Sequence, residues 1–128
     1  MIEHLVQRAR DAMSRAYAPH SGFSVGAALE SDSGDVFAGC NVENASYSLT
    51  ICAERAAVAA AVAAGHRRFL RVVIVTDTDE AVPPCGACRQ VLAEFAHKGG
   101  SELEVFGVSN KETIRWTLGE LLPEPFNF

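Results

Sequence analysis

The chain has 128 residues, 48% of them apolar and 21% charged, with a formal net charge of -5. That length suits one domain with its own core, here residues 1–128, and the composition excludes a disordered chain. The acidic balance disfavours a protein that grips the backbone of DNA or RNA and fits a small, roughly neutral ligand better.

Leu5, Ala9, Ala12, Met13 and Ala16 recur at helical spacing, which predicts an amphipathic helix over residues 2–17. Pro19 and Gly22 end it. Residues 23–30 and 36–42 are rich in Val, Phe and Ala and flank the turn cluster 31–35, so they are expected to pair as a hairpin. The alanine-rich stretch 51–64 predicts a tightly packed helix, stopped by Gly65. Residues 71–76 form a continuous β-branched run, the pattern of a strand buried on both faces. A further helix is expected over 86–98, stopped by Gly99 and Gly100, then strands at 103–108 and 113–117. The link between those last two is too short for a parallel crossover, which makes them antiparallel. A short helical turn at 119–122 ends at Pro123. The order α-β-β-α-β-α-β-β predicts an α/β sandwich built on one mixed sheet.

The first residues mix Glu3, Arg8, Arg10, Asp11 and Arg15 among apolar positions, unlike a signal peptide. The apolar tract within 53–64 is interrupted by Glu54 and Arg55 and is too short to span a bilayer. A cytoplasmic location is therefore expected, where the four cysteines serve as thiols or metal ligands rather than disulfides.

Two of those cysteines, Cys85 and Cys88, form a C-x-x-C after Pro84 at the start of a predicted helix. Cys52 opens another helix, followed by Ala53 and Glu54. Free backbone N–H groups and the positive end of a helix both favour sulfur as an anion, which prepares thiolates for a metal. Three ligands rather than four point to a catalytic zinc, because structural sites are normally closed by four. Cys40, within a predicted strand, is expected to be a small buried apolar residue instead. Glu54, two residues after a ligand, can face the metal without binding it and carry the proton released when zinc lowers the pKa of water to about 7. Three thiolates leave such a site with a net negative charge, so a cation must draw charge from sulfur. Arg55 is the preferred candidate and Arg89, beside Cys88, the alternative, although either could be a solvated helix residue. A thioredoxin-like dithiol is the competing reading of the C-x-x-C, but it leaves Cys52 and Glu54 unexplained.

With these residues the chain closely resembles the cytidine deaminase family in its small homotetrameric form. The resemblance covers nearly the whole chain. It runs through residues 17–28, the segment 39–47 with Asn41, Glu43 and Tyr47, the zinc motif, and Glu120-Leu-Leu-Pro123 with Phe126. It implies a three-layer α/β/α sandwich around a five-stranded mixed sheet. It also implies one Zn2+ per subunit on Cys52, Cys85 and Cys88 and Glu54 as the catalytic proton carrier. The expected activity is hydrolytic deamination of cytidine and 2′-deoxycytidine to uridine and 2′-deoxyuridine with release of ammonia, in pyrimidine salvage. By the same resemblance Asn41 and Glu43 bind the ribose, Phe23 packs on the base, and Ala53 and Tyr47 lie at the substrate. Phe126 is expected to reach the base in a neighbouring subunit of a homotetramer whose sites lie at subunit interfaces. His20 and Gly22 depart from the family's usual residues and bear on the pocket rim. The implied partners are a pyrimidine nucleoside and water, with no nucleic acid and no membrane. The readings this must beat are a blasticidin-type deaminase, a nucleic-acid deaminase and a non-enzymatic zinc module.

Overall fold

The computed structural model describes residues 1–96 and 103–128. Among them the helices are α1 (Glu3–Met13), α2 (Ala53–Ala63), α3 (Gly86–Glu94) and the single-turn α4 (Leu118–Leu121). The strands are β1 (Val25–Ser31), β2 (Val36–Cys40), β3 (Phe69–Thr76), β4 (Glu104–Val108) and β5 (Thr113–Thr117). They form one sheet in the order β2-β1-β3-β4-β5. β3 and β4 are parallel, joined through α3, while every other pair is antiparallel, including the expected β1–β2 hairpin and β4–β5.

Alternation along the strands divides the core in two. Ala28, Val73, Val75 and Phe106 face α1, where Leu5 and Ala9 cover them. Ala27, Leu29, Val72, Ile74 and Val105 face the other way and meet Ala57, Val58 and Ala61 of α2, Leu92 of α3 and Leu118 of α4. Strand residues i and i+2 share a face, so one sheet with two apolar sides needs helices on both. The result is the expected three-layer sandwich. A capping box starts α4, with Thr117 Oγ1 accepting from the Glu120 N–H and the Glu120 carboxylate accepting from the Thr117 N–H.

Several element ends differ from the sequence expectation, three of them around Val42. The first helix stops at Met13 rather than residue 17, because Tyr17 leaves it to bridge Val42, donating to the Asn41 carbonyl and accepting from Glu43 N–H. Val42 bridges Ile51 on its other side, so β2 ends at Cys40 and α2 begins at Ala53 rather than residue 51. Helix α3 ends at Glu94; the expected continuation over 97–98 and the stop at Gly99 and Gly100 lie outside the described residues. Gly65 follows α2 with φ +95°, the left-handed conformation expected of a helix stop.

The alanines of α2 let it lie almost on the sheet. At Gly39 of β2 a Cβ would meet the Ala57 nitrogen at 2.5 Å and the Ala53 carbonyl oxygen at 2.7 Å. Both obstacles are backbone, so neither can rotate away. Gly39→Ala should therefore cost about 1–3 kcal/mol or more in urea denaturation, by pushing off the helix that carries Cys52 and Glu54. Unchanged stability would mean that α2 is less tightly seated than described.

Candidate metal centre and active site

The site forms where β2 and β3 end and β1 begins, with Val25 opposite Thr76. Both thiol-bearing helices start there. Cys52 and Cys85 are the N-cap residues of α2 and α3, each with extended backbone and no side-chain capping bond, so their sulfurs are free to turn inward. Cys88 sits in the first turn of α3 and is fully buried, Cys52 is half-buried and Cys85 exposed. The three sulfurs lie within 4.8 Å of one another, and Cys52 and Cys85 are 3.8 Å apart. Thiolates at about 2.3 Å from a tetrahedral zinc stand roughly 3.8 Å from each other, so the spacing fits that ion. Cys40 is not part of the cluster.

The charges around the cluster suit it. Cys52 is held down to about 5, first by a hydrogen bond from the Cys88 thiol and then by Arg55. Cys88 is correspondingly pushed up by the same bond and by burial. Arg55 is three positions past Cys52, hence on the same side of the helix. It donates from one terminal nitrogen to the Thr50 carbonyl at 3.0 Å and to the Cys52 sulfur at 3.6 Å. Its Nε is buried with no hydrogen-bond partner among the described residues. Arg89 takes a different course from the one weighed in the sequence. It donates to the Pro84 and Leu121 carbonyls at 2.7 and 2.9 Å.

Glu54 lies in the first turn of α2, 5% exposed. Burial raises its pKa, and the Cys52 thiolate adds to the effect. It opens onto a cavity of about 220 Å³ lined also by Phe23, Asn41, Ala53, Cys52 and Cys85. The remaining walls are largely apolar, from Val25, Ile74, Val82 and Pro83. Asn41 does double duty there. Its Oδ1 accepts from the Val25 N–H and its Nδ2 donates to the Phe23 carbonyl, both at 2.8 Å, so it fixes the start of β1 as well as lining the cavity.

The other expected residues fall outside this cavity. Glu43 and Tyr47 line an adjoining one of about 330 Å³ with His20, Ser21 and Thr50, and Thr50 belongs to both. The Glu43 carboxylate accepts from the backbone of His20 and Ser21 at 2.9 and 3.1 Å and from the Ser21 hydroxyl, which holds its pKa low. Gly22 closes that turn at φ +71°, a conformation that favours glycine and accounts for its place here. Phe126 is 71% exposed and lines neither cavity. Thr50, Val82 and Pro83 were not singled out in the sequence. Their signal was position alone, just ahead of Cys52 and of Cys85.

Two helix starts that gather three thiols beside a buried carboxyl and its cavity over a mixed sheet fit a metal-dependent hydrolase of the zinc deaminase class. Residues 1–99 match the family described as cytidine and deoxycytidylate deaminase zinc-binding region. The chain is 43% identical over 127 residues to a cytidine deaminase of Sporosarcina psychrophila, covering 98% of this chain and 91% of the other. It is 45% identical over 123 residues to one of Halalkalibacterium halodurans, covering 95% and 91%. The solved cytidine deaminase of Burkholderia pseudomallei superposes with a TM-score of 0.90 at 46% identity, covering 98% of this chain and all of that one. The chain belongs to the cytidine deaminase family. Zn2+ is its cofactor, and Cys52, Cys85 and Cys88 are positioned to hold it.

Proposed function

We propose that the chain hydrolyses cytidine and 2′-deoxycytidine to uridine and 2′-deoxyuridine, releasing ammonia, as one catalytic domain over residues 1–128. The observation that carries this reading is the buried Glu54 carboxyl beside three converging thiols, two of which, Cys52 and Cys85, line the same cavity of about 220 Å³. When bound on Cys52, Cys85 and Cys88, zinc supplies the Lewis acidity that lowers the pKa of water to about 7. Glu54 does the proton work. It takes a proton as the water oxygen bonds to C4 and delivers it to N3 of the ring. It then carries a second proton to the amino nitrogen as the C4–N bond breaks and ammonia leaves. A carboxyl whose pKa is raised by burial is suited to giving a proton as well as taking one. Arg55 offsets the negative charge that three thiolates bring.

Phe23 packs on the base, and Asn41 and Glu43 bind ribose hydroxyls, since an amide and a carboxylate together offer donor and acceptor. Ala53 and Tyr47 complete the contacts. The apolar walls keep bulk water from the reacting ring. The protein works as a homotetramer in which Phe126 reaches a neighbouring subunit's base. Support comes from the exposed apolar side chains of Tyr17, Val42, Tyr47, Leu49 and Ile51, more than a lone subunit needs to leave in water. A cytoplasmic role in pyrimidine salvage agrees with four free cysteines. Among the described residues no helix is long and apolar enough to cross a membrane.

Competition among cytidine, 2′-deoxycytidine, free cytosine and a cytosine-containing single-stranded oligonucleotide tests this reading. Both nucleosides should be converted, the free base far more slowly and the oligonucleotide not at all. Free cytosine turned over as fast as cytidine would remove the ribose role of Asn41 and Glu43.

A further inference from the structure

Arg89 and Gln90 directly follow Cys88, yet neither side chain belongs to the sulfur cluster. What they do is tie three separate pieces of chain together. Arg89 Nε donates to the carbonyl of Pro84, the residue immediately before Cys85, at 2.7 Å. Its Nη1 donates to the carbonyl of Leu121, the last residue of α4, at 2.9 Å. Gln90 then pairs with the peptide of Phe126 in both directions, its Nε2 donating to the carbonyl at 2.8 Å and its Oε1 accepting from the N–H at 3.0 Å.

The stretch these bonds restrain is held by the buried ring of Pro84 and, at its start, by the Ala81 N–H donating to the Glu112 carboxylate at 2.8 Å, but otherwise has few hydrogen bonds. Residues 81–85 have no regular secondary structure, and Cys85 is the most exposed of the three ligands. Pro83 and Pro84 have no N–H to give. Among the described residues the backbone of 82–84 makes a single hydrogen bond, the one to Arg89. That guanidinium is in turn fixed at its other branch by Leu121, whose own segment is fastened through Phe126 to Gln90.

We infer that Arg89 is a positioning residue for the ligand Cys85, and that through Arg89 and Gln90 the segment 121–126 is part of what retains zinc. The inference rests on the zinc reading of the cysteine cluster. Groups that orient metal ligands from behind are worth about 10–100-fold in affinity. A bidentate guanidinium spanning two carbonyls cannot be replaced by a single ammonium.

The test is the rate of zinc release from the loaded full chain to a chromogenic chelator. Arg89→Lys should release zinc about tenfold faster than wild type. Gln90→Leu and deletion of residues 123–128 should each speed release by a smaller factor, about threefold. Combining them should add nothing beyond the deletion, because both cut the same tie. Leu5→Ala, which weakens the core on the far side of the sheet, should release zinc at the wild-type rate although its melting temperature falls. Arg89→Lys within twofold of wild type, or Leu5→Ala as fast as Arg89→Lys, overturns the inference. If Arg89→Lys does not fold, wild-type release from both Gln90→Leu and the deletion overturns it equally. A wild-type chain that binds no zinc refutes the zinc reading itself, and the inference with it.

Discussion

Glu54→Ala is expected to fold, to keep one zinc per chain, and to lose turnover by more than the roughly 10²–10⁴ of a single general acid–base step. The excess follows from the number of transfers asked of one group. In the proposed mechanism the same carboxyl serves the attack on C4 and the departure of ammonia, and nothing else lining the cavity can replace it. The other polar walls are the thiols of Cys52 and Cys85, the Asn41 amide, whose Oδ1 and Nδ2 already bond the backbone of Val25 and Phe23, and two threonines. Stability should change little, since a carboxyl buried against its preference contributes little to folding. Zinc content, circular dichroism and steady-state rates on the same preparation check all three points. Retention of more than about a tenth of wild-type turnover, far above what loss of one acid–base group allows, contradicts the role.

The second large effect belongs to Cys88. It is fully buried and is the one ligand placed within a helix rather than at its cap. Cys88→Ala should lose zinc on dialysis, lose activity with it, and forfeit several of the roughly 10–16 kcal/mol that a thiolate-rich zinc site can contribute to folding. The wild-type melting temperature should then fall with a chelator to near that of Cys88→Ala, while the variant's own should ignore the chelator. Cys40→Ala should retain zinc and respond to the chelator as wild type does. A Cys40 variant that also lost zinc would contradict the three-ligand site.

The chemistry was legible early because it is written in local spacing. Cys85 and Cys88 are three apart, the spacing that shares a helix face, and Glu54 lies in the first turn of the helix that Cys52 caps. Arg55 was legible for the same reason, three positions past its thiol. Arg89 was not. One residue past Cys88, it points about 100° away around the helix, toward the chain entering it. Its partner Leu121, and the pairing of Gln90 with Phe126, join parts of the chain whose nearness is a product of the fold and leaves no trace in periodicity. The element ends failed on the same principle. Tyr17 and Ile51 continue the apolar helical patterns beside them, but pairing with Val42 outweighed that local preference. Glu43 was legible only through the resemblance, and its carboxylate also holds the His20–Ser21 turn, a contact that no local pattern announces.

The most direct measurement is the loss of the cytosine ultraviolet band when cytidine is added to the zinc-loaded protein, with ammonia determined in the same sample and a chelator-treated sample beside it. The site described predicts a fall matched mole for mole by ammonia, abolished by chelation and restored by zinc. An unchanged band with folded, zinc-loaded protein, or a fall that persists without the metal, would contradict it.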